Sequence, residues 1–232
     1  MENHRISDFK ILGAKFGADI IVPLVYTDVS VGKTLYNLPD IFNVSSLHLG
    51  MERSSGGLSD LYVDPFMLSW SGDRYDLSFA TGIFMPTGRY NSRDPASPGK
   101  GFWTFMPNLG ATVYLDEKKT WSASVMTHYE VHTKQKQTHK TPGDHFHFEW
   151  GLGKRFAKYW QAGAAGYCSW QVTDDKGPGA SKKKYRTFAA GPEINVAITK
   201  YKAQVSLRSL WEFESRNSTQ GNITTLTLTF SF

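Results

Sequence analysis

The chain has 232 residues, 20% of them charged and 40% hydrophobic, with a net charge of +5. Its longest apolar run, Ile20-Ile21-Val22-Pro23-Leu24-Val25, falls far short of the roughly 20 residues a membrane helix needs. The lone cysteine, Cys168, excludes an intrachain disulfide framework. The positive excess sits in two loop-like clusters, residues 134–140 and Lys182-Lys183-Lys184, rather than on a face with base-reading groups, so no nucleic-acid partner is expected.

A low mean hydropathy does not argue against a membrane β-barrel, because alternate residues of its strands face lipid and lumen. Aromatic residues make up 14% of the chain, which suits the girdles of such a barrel. The N-terminus, Met1-Glu2-Asn3-His4-Arg5, lacks the basic start and apolar stretch of a secretory signal. Export then requires a signal that this reading of the chain does not include.

In chain order, period-two alternation marks ten strand-like segments: residues 14–27, 58–70, 74–87, 102–115, 121–132, 145–154, 159–173, 185–198, 201–214 and 222–232. In the second, Pro65 interrupts the ladder and predicts a bulge. The cleanest is 201–214, where Tyr201, Ala203, Val205, Leu207, Ser209, Trp211 and Phe213 alternate with Lys202, Gln204, Ser206, Arg208, Leu210, Glu212 and Glu214. That run exceeds the about 5–6 residues of a soluble strand and covers the about 9–11 of a tilted membrane strand. The last segment puts Leu226, Leu228, Phe230 and Phe232 on one face and stops on an aromatic residue. Such an ending resembles the signal read by the outer-membrane assembly machinery, a partner it implies.

Connections alternate in length. Residues 71–73, 116–119, 157–158 and 199–200 are tight turns, whereas 29–57, 88–101, 133–144 and 174–184 are long and polar. Short turns at one end and long loops at the other are the pattern of an outer-membrane barrel. The expected fold is therefore all-β, a single domain over residues 1–232 forming an antiparallel up-and-down transmembrane barrel with ten strands in this chain. The competing reading is a soluble β-sandwich, either a cupin-like metal-binding enzyme or a carbohydrate-binding module.

Several motifs occur in order: Gly57-Leu58-Ser59-Asp60-Leu61-Tyr62-Val63-Asp64-Pro65, Pro86-Thr87-Gly88-Arg89-Tyr90, Phe102-Trp103-Thr104-Phe105-Met106-Pro107, Gly166-Tyr167 with Gln171-Val172-Thr173-Asp174-Asp175, and Ala190-Gly191-Pro192. Together with Ile11-Leu12-Gly13-Ala14 and Val22-Pro23-Leu24 they resemble the family of the meta-pathway of phenol degradation, a group of outer-membrane transporters. Ser59 departs from the glycine usual in that family. The resemblance implies a signal peptide and further strands before Ile11, a twelve-stranded barrel of which this chain supplies ten, and a monomeric channel in the cell outer membrane for passive uptake of small hydrophobic or aromatic compounds. Lipid and lipopolysaccharide are its expected surroundings.

If the apolar faces meet lipid, the opposite faces line a lumen. Alternation puts Lys15, Asp19, Asp76, Glu130, His145, His147, Glu149, Glu193, Lys202, Arg208, Glu212 and Glu214 there. Buried charges require pairing or hydration. These residues form either a charged constriction that sets selectivity or a salt-bridged plug. His145, His147 and Glu149 share one face at i, i+2 and i+4, and with His128 or His132 could chelate a metal. No sequence-near ligand closes that sphere, so neither metal nor cofactor is expected. Glu130 and Glu149 could be an acid and base pair, but nothing fixes their separation. No G-x-S-x-G elbow or phosphate-binding glycine loop is present, and catalysis is not expected. Residues 91–101, with Pro95 and Pro98, read as a surface loop or as one turned toward the mouth.

Overall fold

The computed structural model describes residues 5–36 and 46–230. Its strands are β1 (Arg5–Ile11), β2 (Ala14–Ile21), β3 (Leu24–Tyr36), β4 (Ser46–Leu58), β5 (Leu61–Ser71), β6 (Tyr75–Met85), β7 (Thr104–Tyr114), β8 (Trp121–His132), β9 (His145–Arg155), β10 (Trp160–Gln171), β11 (Arg186–Ile198), β12 (Ala203–Arg216) and β13 (Asn222–Phe230). Eleven of them form one antiparallel sheet in the order β1-β2-β5-β6-β7-β8-β9-β10-β11-β12-β13, while β3 and β4 pair only with each other. Among the described residues β1 and β13 are the two edges of that sheet. The sheet curls: a single cavity of about 310 Å³ is walled both by Ser78 of β6 and by Glu193 and Arg208 of β11 and β12.

Three elements differ from the sequence-based expectation. β1 adds an eleventh strand to the expected ten, joined to β2 through Leu12 and Gly13 at φ +52° and +77°. A two-residue turn with both φ values positive matches the twist of a hairpin, and glycine takes such a φ without strain. The segment read as one strand over 14–27 is broken after Ile21, because Pro23 lacks the N–H a ladder needs. The long polar loop expected at 29–57 is instead largely a hairpin, with thirteen residues in each strand. The bulge expected at Pro65 is present: the register with β6 shifts between Val63 and Met67, and that with β2 between Gly17 and Asp19. Phe232 lies outside the described residues, as does the side chain of Phe230.

Directly paired residues of antiparallel strands share a face. One row accordingly runs through Ser69, Ser78, Gly110, Met126, Glu149, Tyr167, Ala189 and Glu212. Small and polar residues dominate it and its neighbours at i±2. The other face carries Leu109, Val125, Leu152, Leu207, Trp211, Phe213, Leu226 and Leu228, all exposed, Leu226 by 73%. The described buried apolar residues are six alanines with Tyr62, Leu68 and Leu210, whereas Asp19, Asp60, Asp64, Asn108 and His132 are buried. A sandwich would bury the large apolar set and expose the polar one; here the distribution is reversed.

Aromatic residues gather at both ends of the outer face. Toward the long connections, Phe146, Trp170, Phe188 and Phe213 touch in sequence, with centroids 5.4 to 6.4 Å apart. Toward the short turns, Lys154 lies over Trp121, Lys158 over Tyr159 and Lys200 over Tyr201, a cation–π arrangement. Trp121 and Tyr129 mark the two ends on β8, about 26 Å apart along the strand at about 3.3 Å per residue. The turn before β8 is held by Asp116, which accepts hydrogen bonds from the Trp121 N–H and the Thr120 hydroxyl. Those bonds, the Trp121 N–H first, hold its carboxyl below the usual range.

The long connection of residues 86–103 is bound down rather than free. Asp60, 4% exposed, accepts from the Gly88 and Lys100 N–H groups at 3.0 and 2.8 Å. The Ser59 hydroxyl donates to the Pro98 carbonyl, and the Gly99 N–H to the Arg89 carbonyl. Gly88 and Gly99 pass so closely that a Cβ on either would lie within 3.0 Å of the other's backbone. Glycine is required at both. Arg89 reaches Ser55 at the base of the β3–β4 hairpin, so loop and hairpin form one unit.

A carboxylate closing two loop N–H groups is a charge-assisted pair, worth about 1.5–3 kcal/mol per bond. Asp60→Ala is expected to free the loop and expose Arg89, Arg93 and Lys100 to trypsin, with Asp60→Asn intermediate. Limited proteolysis mapped by mass spectrometry reads this, and equal cleavage of all three proteins would refute it.

Candidate functional site

The inner face carries two linked polar groups and a salt-bridged wall. In the first group, the Tyr62 hydroxyl donates to Asp64 at 2.8 Å and accepts from Asn108 Nδ2 at 3.2 Å. Asn108 Oδ1 meets His128 Nδ1 at 2.6 Å, and His128 Nε2 faces Glu149 at 3.6 Å. In the second, Glu130 stands within 3.3 Å of His145 Nδ1 and 3.6 Å of both His132 Nε2 and His147 Nε2. Thr104 Oγ1 holds His132 Nδ1 at 2.9 Å, and Ser169 Oγ holds His147 Nδ1 at 2.8 Å. Ser169 in turn donates to the Tyr185 hydroxyl. Tyr185 precedes β11, and burial pushes its hydroxyl pKa up.

Farther along the same face, on the adjacent strands β11 and β12, Arg208 pairs with Glu193, which also accepts from Asn195 Nδ2. The Tyr167 hydroxyl donates to Glu212 at 2.6 Å. Near the short turns Tyr114 donates to Asp76 at 2.7 Å.

Two cavities lie along this face. The one of about 310 Å³, near the short turns, is walled by serines, Gly110, Gly151, Gly153 and Gly163, with Asp76, Glu193 and Arg208. The other, about 530 Å³, is walled by Ile21, Pro23, Met67, Phe84, Met106 and Met126 beside Tyr62, Asp64 and Asn108. Ser78, Met126 and Glu149 line both, so the two adjoin.

Of the residues that alternation assigned to the lumen, Asp76, Glu149, Glu193 and Arg208 wall the first cavity and Asp19 and Glu149 the second. Glu130, His145 and His147 meet in the second polar group, and Glu212 lies in the central row. Lys15 pairs with Ser69 near the short turns and is exposed. Two assignments are corrected. Lys202 lies in no strand: it follows the 3-10 turn Thr199–Tyr201 in a left-handed conformation, φ 47°. Glu214 leaves the inner face at a register shift between Phe188 and Ala189, which sets it opposite Phe188, where it pairs with Arg186. His145, His147 and Glu149 share one face as alternation indicates, but the carboxylate beside the two histidines is Glu130, and Glu149 faces His128. Tyr62, Asp64, Asn108 and Tyr167 were not singled out from sequence, although Tyr62 and Asp64 at i and i+2 signal a shared face.

An antiparallel sheet curled about polar cavities, apolar outside and aromatic at both ends, has the architecture of the β-barrel membrane proteins. The model of the family described as "Putative MetA-pathway of phenol degradation" matches residues 3–228, and the chain belongs to that family. Its fold is similar to that in the crystal structure of the COG4313 outer membrane channel from Pseudomonas putida F1, with a TM-score of 0.63 and 12% sequence identity over 93% of this chain and 81% of that one. Among curated proteins, no relative matches by sequence.

The Glu193–Arg208 pair at the smaller cavity is partly exposed, with side chains 18% and 38% accessible. A double-mutant cycle with Glu193→Gln and Arg208→Gln is expected to give a coupling of about 1 kcal/mol, since solvent screens such a pair. Unfolding by urea in lipid vesicles measures it; additive single mutants would show that the pair contributes nothing.

Proposed function

We propose that the chain is an outer-membrane channel for passive diffusion of small hydrophobic or aromatic compounds, and that it performs no chemistry on them. The observation that carries this reading is the pair of adjoining cavities. The half near the short turns is polar and carries the Glu193–Arg208 pair, and the other half is walled by three methionines, Phe84, Ile21 and Pro23. Methionine side chains are flexible and polarizable and adapt to apolar guests of varied shape. A polar segment in series admits water and limits size. Membership of the phenol-degradation family and the fold shared with a channel support the reading. Within a bilayer every backbone group must be paired, so the reading also requires the edges β1 and β13 to be paired, directly or through further strands.

The charged lumen residues act as a constriction in this reading rather than as a plug. Gly151 faces the smaller cavity, and a Cβ there would meet only Ser124 Oγ, at 2.9 Å. Gly151→Phe should therefore fill the cavity without breaking the wall. In planar bilayers the folded protein is expected to give discrete conductance steps that small aromatic solutes block, and Gly151→Phe should lower the conductance severalfold. Folded protein that gives no steps, or steps indifferent to Gly151→Phe, would remove the channel.

The short turns face the periplasm and the long connections face outward in this proposal. On the outward side Lys182, Lys183, Lys184, Arg186 and Arg216 border one groove beside Trp170. Guanidinium and ammonium groups there suit the phosphates of lipopolysaccharide, with contacts weakened by salt. A Lys183→Cys variant, with Cys168→Ala to remove the native thiol, is expected to react with an impermeant maleimide on intact cells. Reaction only after the outer membrane is broken would mean the opposite orientation or another location.

A further inference from the structure

We propose that Glu130, His132 and His145 form a binding site for one divalent transition-metal ion of the zinc class in the lumen, with His147 as a neighbouring ligand. The three strands that build it are in register: Thr104 of β7 pairs with His132 of β8, and Glu130 of β8 with His145 of β9. Their ligand atoms form a triangle. His132 Nε2 lies 3.2 Å from His145 Nδ1 and 3.6 Å from Glu130 Oε2, and His145 Nδ1 lies 3.3 Å from that same oxygen. In a tetrahedral site with bonds of about 2.0–2.1 Å, neighbouring ligand atoms stand about 3.3 Å apart. The triangle has the size of one face of that tetrahedron.

The surroundings orient the ligands as a metal site requires. Metal-bound histidines hold their other ring nitrogen in a hydrogen bond. His132 Nδ1 is held by Thr104 Oγ1, and the Phe102 ring packs edge-on against His132 at 5.2 Å. Ser169 gives its own proton to Tyr185, so it accepts from His147 Nδ1–H. His147 Nε2 then presents a lone pair toward Glu130 Oε1 at 3.6 Å, buried and without a hydrogen-bond partner among the described residues. Between that nitrogen and the carboxylate oxygen a cation, either a proton or a metal ion, satisfies both. His132 is almost fully enclosed, whereas the side chains of His145 and His147 are 19% and 25% accessible, so an ion enters from the lumen. Two imidazoles and one carboxylate favour zinc and its neighbours over magnesium or calcium, which take oxygen ligands. If the chain is the channel proposed above, a metal ion joining β8 to β9 at this point also modulates its conductance.

Metal binding is tested apart from conduction. Untagged protein, refolded in detergent and shown to be folded by heat-modifiable gel mobility, is titrated calorimetrically with zinc chloride, with magnesium chloride as comparison. One zinc per chain is expected and no magnesium. Affinity should fall at least about tenfold in His145→Gln and in Glu130→Gln, and remain unchanged in His139→Gln, a loop residue. Folded protein that binds no zinc, or binds it equally in His145→Gln, or takes magnesium equally well, would overturn the site. A conductance lowered by zinc in the original protein and not in His145→Gln adds the functional link; zinc binding in a protein that never conducts would retain the site and remove the channel.

Discussion

The strict pairing of neighbouring strands is the constraint on which everything else depends. In an antiparallel ladder each residue is bound to one partner and shares its face. One continuous register from β6 to β11 therefore fixes, at a stroke, which side chains meet the interior and which meet the surroundings. A slip of one residue would exchange the two sets. The few shifts that do occur have visible consequences: Pro65 sits in one, and another turns Glu214 from the interior to pair with Arg186.

Given that register, the interior has to satisfy its own polar groups. It does so by joining residues from different strands: Tyr62 with Asn108, Arg208 with Glu193, Tyr167 with Glu212. Truncating one member of such a pair leaves the other desolvated, which costs more than the pair itself contributes. Beside these pairs the wall is thinned by Gly110, Gly151, Gly153 and Gly163, and the thinning leaves room for the smaller cavity. Bulk returns at Met67, Met106 and Met126, where the interior turns apolar. Polarity and width are thus set separately along one axis.

Much of this was legible in the sequence, because alternation is a local property. Nine of the expected segments correspond to single strands of the sheet, and most of the residues assigned to the lumen face inward. The failures share a physical cause. β1 is short and mixed in character, and the β3–β4 hairpin lies outside the eleven-stranded sheet, within a stretch whose polar and glycine residues read as a loop. The displacements of Lys202 and Glu214 come from a turn and a bulge, each decided by neighbours distant in sequence. Likewise the stripe His145, His147 and Glu149 was visible on its own strand, but the carboxylate that serves the histidines comes from β8. Period two gives the face of a residue and says nothing of its cross-strand partner.

The family motifs gain a physical meaning from the same contacts. Leu58-Ser59-Asp60 and Pro86-Thr87-Gly88 are far apart in sequence yet adjacent in space: the Thr87 hydroxyl accepts from the Leu61 N–H, and Asp60 accepts from Gly88 and Lys100. These residues do not line either cavity. They fasten the loop that ends at Phe102, whose ring lies against His132. The loop also touches the next long connection, since Gln135 Nε2 donates to the Lys100 carbonyl and Gln137 Nε2 to that of Tyr90. Loops on a surface ordinarily move more than the strands they join; here a buried carboxylate and two closely passing glycines remove that freedom. These motif residues thus build the rim beside the histidine cluster, while Pro23, Tyr62, Asp64 and Met106 of the same motifs wall the larger cavity.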